Sequence, residues 1–575
     1  MSCFKRLFLL AFALPFLGWT QIYFKDKTAE LNLEYSAGNT PLGNGVTFND
    51  YNNDGWDDLT VNRQDGDRLL FFRNINGTFT EDILIIPTID YQTRQVNWVD
   101  IDNDGDKDLF VSSDTSGNRL FENTGNMNLI DITVSAGLPI ANMYTFGSSW
   151  GDFNNDGFPD LFVSNRDEVS FAIPNFLYRN NGDSTFTDVT VQAGLSTQAQ
   201  SSFCAAFFDF NNDGFQDIFV ANDRMIYPNF LYKNNGDGTF TDIGASSGTG
   251  LYMNAMSATV GDFNNDGWFD LYVTNTSEGN SLFMNNGDET FSDMAASSGT
   301  AFNAYGWGAV FLDADHDMDL DLYVSGLYNT IDISLKPFAF YRNENDLTFS
   351  EPSTTGFELD DRPSFSNAIG DYNNDGKFDL IVSNSDNADL YFWKNESSSN
   401  FNWLKLRLDG VSSNKNGIGS RIEIGVNGLK QYRYTGCGEG YLSQNSDSEI
   451  FGLGTYATVD YIKVNWLSGI QDTWYNITAN QSLVLTEGTA TLHTEDEIYR
   501  GVLIAPNPSR YSFRIQSPNP IKNLEIFNIL GQKIYEKAYN FKSEIVVISE
   551  AWDPGIYLAI IKTSNGISNH RIVKR

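Results

Sequence analysis

Residues 152–160 read Asp-Phe-Asn-Asn-Asp-Gly-Phe-Pro-Asp, and the pattern Asp-x-(Asn/Asp)-x-Asp-(Gly)-x-x-Asp occurs seven times between Asp50 and Leu380. The copies begin at Asp50, Asp100, Asp152, Asp209, Asp262, Asp313 and Asp371, at steps of 50 to 58 residues. A repeat of about 50 residues is typical of β-propellers and of repeat arrays. Each copy is followed by an apolar segment, so the repeat predicts both the fold and the kind of ligand.

The nine-residue loops place oxygen-bearing side chains at positions 1, 3, 5 and 9. A hard cation that takes six to eight oxygen ligands suits this spacing, with glycine at position 6 for a sharp turn and a main-chain carbonyl at position 7. The loops therefore predict calcium as the cofactor. The candidate ligands are Asp50, Asn52, Asp54, Asp58, Asp100, Asp102, Asp104, Asp108, Asp152, Asn154, Asp156, Asp160, Asp209, Asn211, Asp213, Asp217, Asp262, Asn264, Asp266, Asp270, Asp313, Asp315, Asp317, Asp321, Asp371, Asn373, Asp375 and Asp379.

The loops do not follow the EF-hand pattern, which has a glutamate at position 12 on an exiting helix. Position 12 is valine in all seven copies, and position 10 is leucine or isoleucine. This alternation places both side chains on one face of a strand. We therefore expect each loop to lead into a strand.

Each copy continues into a predicted hairpin. Residues 176–188 contain two aromatic-rich runs around Asn181-Gly182, which is a strong signal for a tight turn. With the strand before the loop, each repeat has four antiparallel strands, as in a propeller blade. We predict an all-β protein: a seven-bladed β-propeller over residues 21–400, followed by two small β-sandwich-like domains.

The last strand of the hairpin carries Phe-x-(Asp/Glu) in most repeats, and one such segment, Phe24-Lys25-Asp26, stands ahead of the first loop. We expect this N-terminal strand to complete the seventh blade, because that arrangement removes a free sheet edge.

These loops resemble the FG-GAP repeats of integrin α-subunits and the VCBS repeats of secreted bacterial proteins, in which they bind calcium. The sixth copy departs from the pattern with Met318 at the turn position, so we expect a strained or altered turn there. A single loop of this kind could be only a solvated turn, but seven copies at strict spacing favour metal. The ions are expected to stabilise the loops rather than to contact a ligand.

The chain begins with Lys5-Arg6 and an apolar run over residues 7–17, which is typical of a signal peptide (residues 1–20) and too short to cross a bilayer. No transmembrane segment is predicted. The formal net charge of −37 disfavours nucleic acid and anionic membranes as partners. Cys204 and Cys437 would remain after cleavage, and we expect two separate thiols rather than a bridge.

After residue 400 the aspartate loops stop. Residues 401–488 contain alternating strands such as Trp403-Leu-Lys-Leu-Arg-Leu408 and the motif Gly438-Glu-Gly-Tyr-Leu-Ser-Gln444. This segment resembles the ASPIC/UnbV domain, whose role is poorly defined. Arg421, Glu439, Tyr441 and Gln444 are candidate functional residues, although hydrogen bonding within turns and the sandwich would also account for them.

Residues 489–499 are predicted to be a polar linker. Residues 500–575 are basic and contain Pro506-Asn-Pro508 and Pro554-Gly-Ile-Tyr557. They resemble the C-terminal sorting domain of type IX secretion cargo, which implies recognition by the type IX secretion machinery and a secreted or outer-surface location. A binding module is the alternative for this segment.

Two classes of function remain open. One is a secreted or surface calcium-binding platform for adhesion to an extracellular glycan or protein, and the other is a calcium-dependent lyase or hydrolase that acts on surface polysaccharide. The chain has only three histidines, His316, His493 and His570, so a histidine acid-base pair has few candidates. The residues favour a binding protein without enzymatic activity, although a carboxylate pair or a Tyr/Arg lyase site stays open.

Overall fold

The computed structural model describes residues 21–87, 89–327, 335–490, 503–505, 507, 509–528, 532–563 and 567–575. The predicted signal peptide, residues 491–499 of the predicted linker and His493 lie outside the described residues. The chain divides into two compact units, residues 1–489 and 490–575. Each unit is described by itself.

The first unit contains seven four-stranded antiparallel sheets, numbered here by the loop that each contains, and the all-β prediction is confirmed. Their strands are Val46–Asn49, Asp58–Val61, Leu70–Asn74 and Phe79–Asp82 (sheet 1); Val96–Val99, Asp108–Val111, Arg119–Asn123 and Leu129–Asp131 (sheet 2); Thr145–Gly151, Asp160–Asn165, Phe176–Asn180 and Phe186–Asp188 (sheet 3); Ser202–Phe208, Asp217–Asn222, Phe230–Asn234 and Phe240–Asp242 (sheet 4); Ala258–Gly261, Asp270–Val273, Ser281–Asn285 and Phe291–Asp293 (sheet 5); Gly306–Leu312, Asp321–Gly326, Phe338–Asn343 and Phe349–Ser350 (sheet 6); and Ser364–Gly370, Asp379–Asn384, Tyr391–Asn395 and Phe24–Asp26 (sheet 7).

The second strand of every sheet begins at the position 9 aspartate of its loop, which confirms that the loops lead into strands. In sheet 3, Leu161 and Val163 are buried on one face, where they pack with Val99 and Phe110 of sheet 2. Burial of alternate residues between adjacent sheets is the main source of hydrophobic stabilisation in such a fold.

The N-terminal strand completes sheet 7. Phe24–Asp26 pairs antiparallel with Tyr391–Asn395, with Phe24 opposite Asn395. The Phe24 ring is fully buried and lies 4.8 Å from the ring of Phe357. The predicted closure of the last repeat by residues 24–26 is confirmed.

Short helices connect some sheets, at Gly244–Ser247 and Ala295–Ser298, with a 3-10 turn at Phe357–Leu359. Residues 403–486 form two further sheets around one core. One contains Ser448–Gly452, Trp403–Asp409 and Gln481–Thr486; the other contains Leu429–Tyr434, Arg421–Val426, Thr458–Asn465 and Gln471–Thr478. We call residues 401–488 the cap domain, because it lies over the loops of the seven sheets.

The second unit is one connected sheet of five strands: Leu503–Ala505, Ser512–Asn528, Lys533–Ile548, Gly555–Thr563 and Ile567–Lys574. The two long strands change register at several points, which bends the sheet. Phe513, Ile515 and Ile561 form part of its separate core.

Candidate metal-binding loops and the cap domain

Each nine-residue loop folds around its first aspartate. In loop 3, Asp152 Oδ1 accepts a hydrogen bond from Asp156 N at 3.0 Å, and Asp152 Oδ2 accepts one from Gly157 N at 2.9 Å. Asp160 Oδ2 accepts a bond of 3.1 Å from Phe153 N. These bonds draw positions 1, 5 and 9 toward one point, so the sequence spacing becomes a compact oxygen cluster.

Two loops bring three carboxylates especially close together. Oxygen atoms of Asp100, Asp102 and Asp108 lie within 4.8 Å of one another, and so do those of Asp313, Asp315 and Asp317. In four other loops the position 3 asparagine donates its amide to the position 5 carboxylate, as Asn154 does to Asp156 at 2.7 Å. In loop 1, Asn52 bonds Asp58 instead, at 2.9 Å. The donors are all hard oxygens, which suits a divalent cation such as calcium.

Burial makes these carboxylates costly to ionise without a cation. It raises the pKa of Asp58 to about 9 and that of Asp108 to about 8. Backbone donors at Asn74 and Asn123 oppose the shift without cancelling it. A bound cation favours the ionised form and would reverse this penalty.

Loop 6 keeps the turn of the other loops without a glycine. Met318 has φ +87°, close to the +90° of Gly157 and the +89° of Gly267 at the same position. This conformation is strained for a side chain that has a Cβ. The Met318 side chain packs against the core of the cap domain. The predicted strain is therefore present, and this contact offsets it.

Position 4 of the loops forms a cycle that the sequence analysis did not identify. In each loop the position 4 side chain hydrogen-bonds to the position 6 carbonyl of the next loop. The pairs are Asn53–Gly105, Asn103–Gly157, Asn155–Gly214, Asn212–Gly267, Asn265–Met318, His316–Gly376 and Asn374–Gly55. The seventh bond returns to the first loop, so the seven loops form one closed cycle.

A second set of asparagines lies at the end of each third strand. The backbone N–H of Asn180 donates to Asp160 Oδ1 at 2.8 Å, and the Asn180 side chain donates to Ile101 O in sheet 2 at 2.8 Å. This residue therefore fixes the position 9 carboxylate and also joins two sheets. The equivalent residues, Asn74, Asn123, Asn234, Asn285, Asn343 and Asn395, also donate to their position 9 carboxylates. Their signal in the sequence is an asparagine just before the hairpin turn.

The cap domain contacts all seven loops. Lys405 Nζ lies 3.2 Å from Asp371 Oδ2 and 2.9 Å from Asn374 Oδ1, and Arg407 Nη1 lies 3.1 Å from Asp50 Oδ2. The other contacts are Lys415 N to Asn103 Oδ1, Ser412 O beside Gly157, Arg421 to Asn212 Oδ1 and Gly267 O, and Gly452 N to Asp313 Oδ2. The loop face is thus covered by the chain itself.

A segment of the cap domain, residues 436–446, inserts among the first strands of the seven sheets. Ser443–Gln444 pairs in parallel with Val46–Thr47. Gln444 bonds both the N–H and the carbonyl of Trp98, and Gly440 N donates to Ala258 O. This segment fills the space between the first strands, so we call it the plug.

The four polar residues singled out from the sequence belong to this contact with the sheets. Arg421 bridges loops 4 and 5, and Gln444 bonds Trp98. Tyr441 is fully buried and donates to Leu42 O at 2.6 Å. Glu439 accepts a bond of 3.0 Å from Asn445 Nδ2 within the plug. Their hydrogen bonding lies largely between the cap domain and the sheets rather than inside the cap domain alone.

Both cysteines of the described residues are free and buried, which confirms the expectation of separate thiols. Cys437 lies in the plug, where its carbonyl accepts a hydrogen bond from Trp150 N, and Cys204 lies in sheet 4. Burial raises the pKa of the Cys204 thiol to about 12, so it is protonated and unreactive in the folded chain.

Comparison with known families agrees with this architecture. The FG-GAP-like repeat model matches residues 50–111, 100–163, 152–220, 209–273 and 262–324. The ASPIC and UnbV model matches residues 410–492, and the secretion system C-terminal sorting domain matches residues 503–575. The chain therefore carries FG-GAP-like repeats, an ASPIC/UnbV domain and a sorting domain that indicates type IX export to a secreted or cell-surface location.

The chain is similar to cartilage acidic protein 1. It is 25% identical to the Xenopus tropicalis protein over 497 residues, which cover 76% of this chain and 72% of that protein. It is 23% identical to the Homo sapiens protein over 474 residues, which cover 76% and 70%.

Two solved structures, extracellular domains of a one-component and a hybrid two-component system of B. thetaiotaomicron, align with 97% and 96% of this chain. The identity is 11% and the TM-score 0.37 in both cases, and the alignments span 59% and 73% of those chains. Among the residues that the structure describes, no helix is long and apolar enough to cross a membrane.

Proposed function

We propose that this chain is a secreted or cell-surface calcium-binding protein whose seven sheets form one closed seven-bladed β-propeller and bind an extracellular glycan or protein. The cycle of seven position 4 hydrogen bonds supports the closed ring. The buried position 9 aspartates of the loops support calcium, because burial raises their pKa and a bound cation would favour the ionised form. The ions stabilise the loops beneath the cap domain.

The ligand would bind on the face opposite the loops, since the cap domain covers the loop face. Connections between second and third strands lie on that opposite face, because neighbouring strands are antiparallel. Two of these connections expose large apolar side chains: Val169 (74%), Phe171 (59%), Met225 (56%) and Ile226 (71%). Exposed apolar groups that cluster on one surface are typical of interaction sites.

The two connections adjoin each other. Arg224 holds Glu168 through two hydrogen bonds, of 2.6 and 2.9 Å, and Arg166 Nη2 lies 2.7 Å from Asp223 Oδ2. The connections of sheets 3 and 4 thus form one surface. Charged pairs join the two connections, and the apolar side chains are exposed on them. This surface is the observation that carries the proposed binding role.

A binding role without enzymatic activity also agrees with the histidines. His316 is buried in loop 6, where its Nε2 lies 2.9 Å from Gly376 O. Burial lowers the pKa of His316 to about 4, so this imidazole is neutral and already engaged. It is poorly suited to act as a general base.

Glycan and protein arrays test the proposal, with a chain that lacks the signal peptide and the sorting domain. The double variant Phe171→Ser/Ile226→Ser should lose at least tenfold in affinity for whatever ligand the arrays detect. Ile75→Ser, at an exposed position of a hairpin turn on the loop face, is the matched control and should bind as the parent does. Equal binding by the parent, the double variant and the control would show that this surface is not the binding site. Turnover of an array glycan would favour the lyase or hydrolase alternative.

A further inference from the structure

The cap domain directs two cations at the ligand carboxylates of two neighbouring loops. Lys405 and Arg407 lie two residues apart on Trp403–Asp409, so their side chains share one face of the strand. Leu404, Leu406 and Leu408, on the other face, are buried in the core of the cap domain. The polar side of this strand therefore faces the loops rather than solvent.

The two contacts reach the position 1 aspartates of loops 7 and 1. Lys405 pairs with Asp371 Oδ2 at 3.2 Å and Arg407 pairs with Asp50 Oδ2 at 3.1 Å. Both carboxylates are nearly buried, with side-chain exposures of 0% and 7%. Charges held this close in a partly buried site are weakly screened.

Loops 2 to 5 differ in this respect. Within the part of the chain that the structure describes, their predicted ligand carboxylates form no ion pair within 4.0 Å, in contrast to Asp50 and Asp371. Arg421 reaches loops 4 and 5 only through Asn212 Oδ1 and Gly267 O, which are not predicted ligand atoms. A divalent cation in these loops meets three or four carboxylates that have no basic group within 4.0 Å, while Arg421 and the buried Arg433 act on Asp209 and Asp262 from farther away.

We propose that loops 1 and 7 are low-affinity calcium sites, because Lys405 and Arg407 repel a cation held by the same carboxylates, whereas loops 2 to 5 are high-affinity sites. The inference rests on the proposed calcium binding. It also makes the coupling reciprocal: calcium in loops 1 and 7 weakens the contact of Trp403–Asp409 with the propeller by the same factor. The strength of the contact between the cap domain and loops 1 and 7 would therefore depend on the calcium concentration.

Two tryptophans allow the cation affinities of loops 1 and 5 to be measured separately in the full chain. Trp56 occupies position 7 of loop 1 and Trp268 occupies position 7 of loop 5. Terbium, which replaces calcium at such sites, emits when a nearby indole is excited. The signal lost in Trp56→Phe reports loop 1, and the signal lost in Trp268→Phe reports loop 5.

Loop 5 should saturate at a terbium concentration at least about tenfold below that of loop 1. A difference of this size is expected when a cation such as Arg407 lies beside the ligand carboxylates. Arg407→Met should move the loop 1 curve toward the loop 5 curve and leave the loop 5 curve unchanged. Arg421→Met, a cap cation that touches no ligand carboxylate, is the matched control and should shift loop 5 less than threefold. Calcium displacement of terbium should reproduce the same order.

Equal saturation of loops 1 and 5 in the parent chain would overturn the inference, even if Arg407→Met did not fold. Equal terbium saturation curves for the two loops would not contradict the proposed calcium binding. Terbium emission that calcium cannot displace from either loop would instead contradict the proposed function, so the two failures are distinguishable.

Discussion

Asn374 Nδ2 donates a hydrogen bond of 3.0 Å to the carbonyl oxygen of Gly55, although 319 residues separate them. The bond joins the last loop to the first. On the outer side of the same sheet, Phe24–Asp26 supplies the final strand beside Tyr391–Asn395. The two ends of the repeat region are thus held together both at the loops and at the sheet edge.

Deletion of residues 21–30 should expose the edge of Tyr391–Asn395 and cause aggregation or early melting, because an unpaired strand edge recruits other chains. Light scattering during a thermal melt measures both effects. Lys25→Ala, which alters an exposed side chain and keeps the main-chain pairing, should melt as the parent does. If the deletion also melts like the parent, the N-terminal strand contributes nothing to closure.

At saturating calcium, the metal-stripped chain should take up about seven ions, or six if loop 6 fails to bind, as measured by elemental analysis after dialysis. Asp156→Ala, which removes the predicted position 5 ligand of loop 3, should lower the melting temperature mainly when calcium is present, because an ion bound only to the folded state stabilises it. A count of two or fewer ions would falsify the role of the loops as metal sites.

At position 318, replacement of methionine by glycine should give a more stable protein than replacement by alanine, which is the reverse of the usual order. Met318→Ala loses the packing on the cap domain and keeps the φ of +87°, whereas Met318→Gly loses the packing and relieves the strain. The glycine variant should be the more stable of the two by about 1 kcal/mol. Urea denaturation measures the difference.

The control is Met284, a partly buried residue within the strand Ser281–Asn285. There alanine should be preferred over glycine, as in strands generally. A preference for alanine at Met318 as well would show that the turn carries no strain.

Glu449 should make the folded chain less stable as the pH rises. It lines a cavity of about 70 Å³ between the cap domain and sheets 5 to 7. Burial raises the pKa of Glu449 to about 7, with Glu439 adding to the rise and Arg433 opposing it. The folded state keeps this proton between pH 4.5 and 7 while the unfolded chain loses it, so stability falls across that window.

Glu449→Gln cannot ionise, so it should exceed the parent in stability at pH 8, by at most about 3 kcal/mol, and match it near pH 4. Thermal melts at the two pH values provide the measurement. Glu34→Gln, at an exposed position, should show no such pH-dependent gain. The same stability difference at both pH values for Glu449→Gln would mean that folding does not raise the pKa of Glu449.

Removal of residues 500–575 should leave the first unit folded but retained in the periplasm, because the sorting domain has its own core and the chain divides between residues 489 and 490. Cell fractionation with circular dichroism of the retained protein tests this. A truncated chain that still reaches the medium would support the binding-module alternative for this domain.

The repeat, the strand after each loop and the closing N-terminal strand could be predicted from the sequence because each depends on local spacing. The period-two alternation of Leu161 and Val163 decides which face is buried, and position 12 excludes a helix. Met318 was also recognisable as a departure from the turn pattern. These features depend on residues within one repeat or on the count of repeats.

The contacts that join repeats and domains were not predictable in this way. Position 4, which is asparagine in six of the seven loops, resembles an ordinary turn residue until the next loop is placed beside it. Lys405 and Arg407 read as the solvent face of a half-buried strand, whereas they face the carboxylates of loops 7 and 1. These partners lie in different repeats or domains, from 34 to 357 residues apart, and no local pattern records which surfaces meet.

The plug has a consequence for the order in which the chain can mature. Ser443 pairs with Val46, so the first sheet made by the ribosome lacks the partner of its first strand until nearly 400 further residues have been synthesised. Contacts this distant in sequence slow folding, and unfinished inner strands expose apolar surface in the meantime. Completion of this sheet is therefore a late step, which waits for synthesis of the plug.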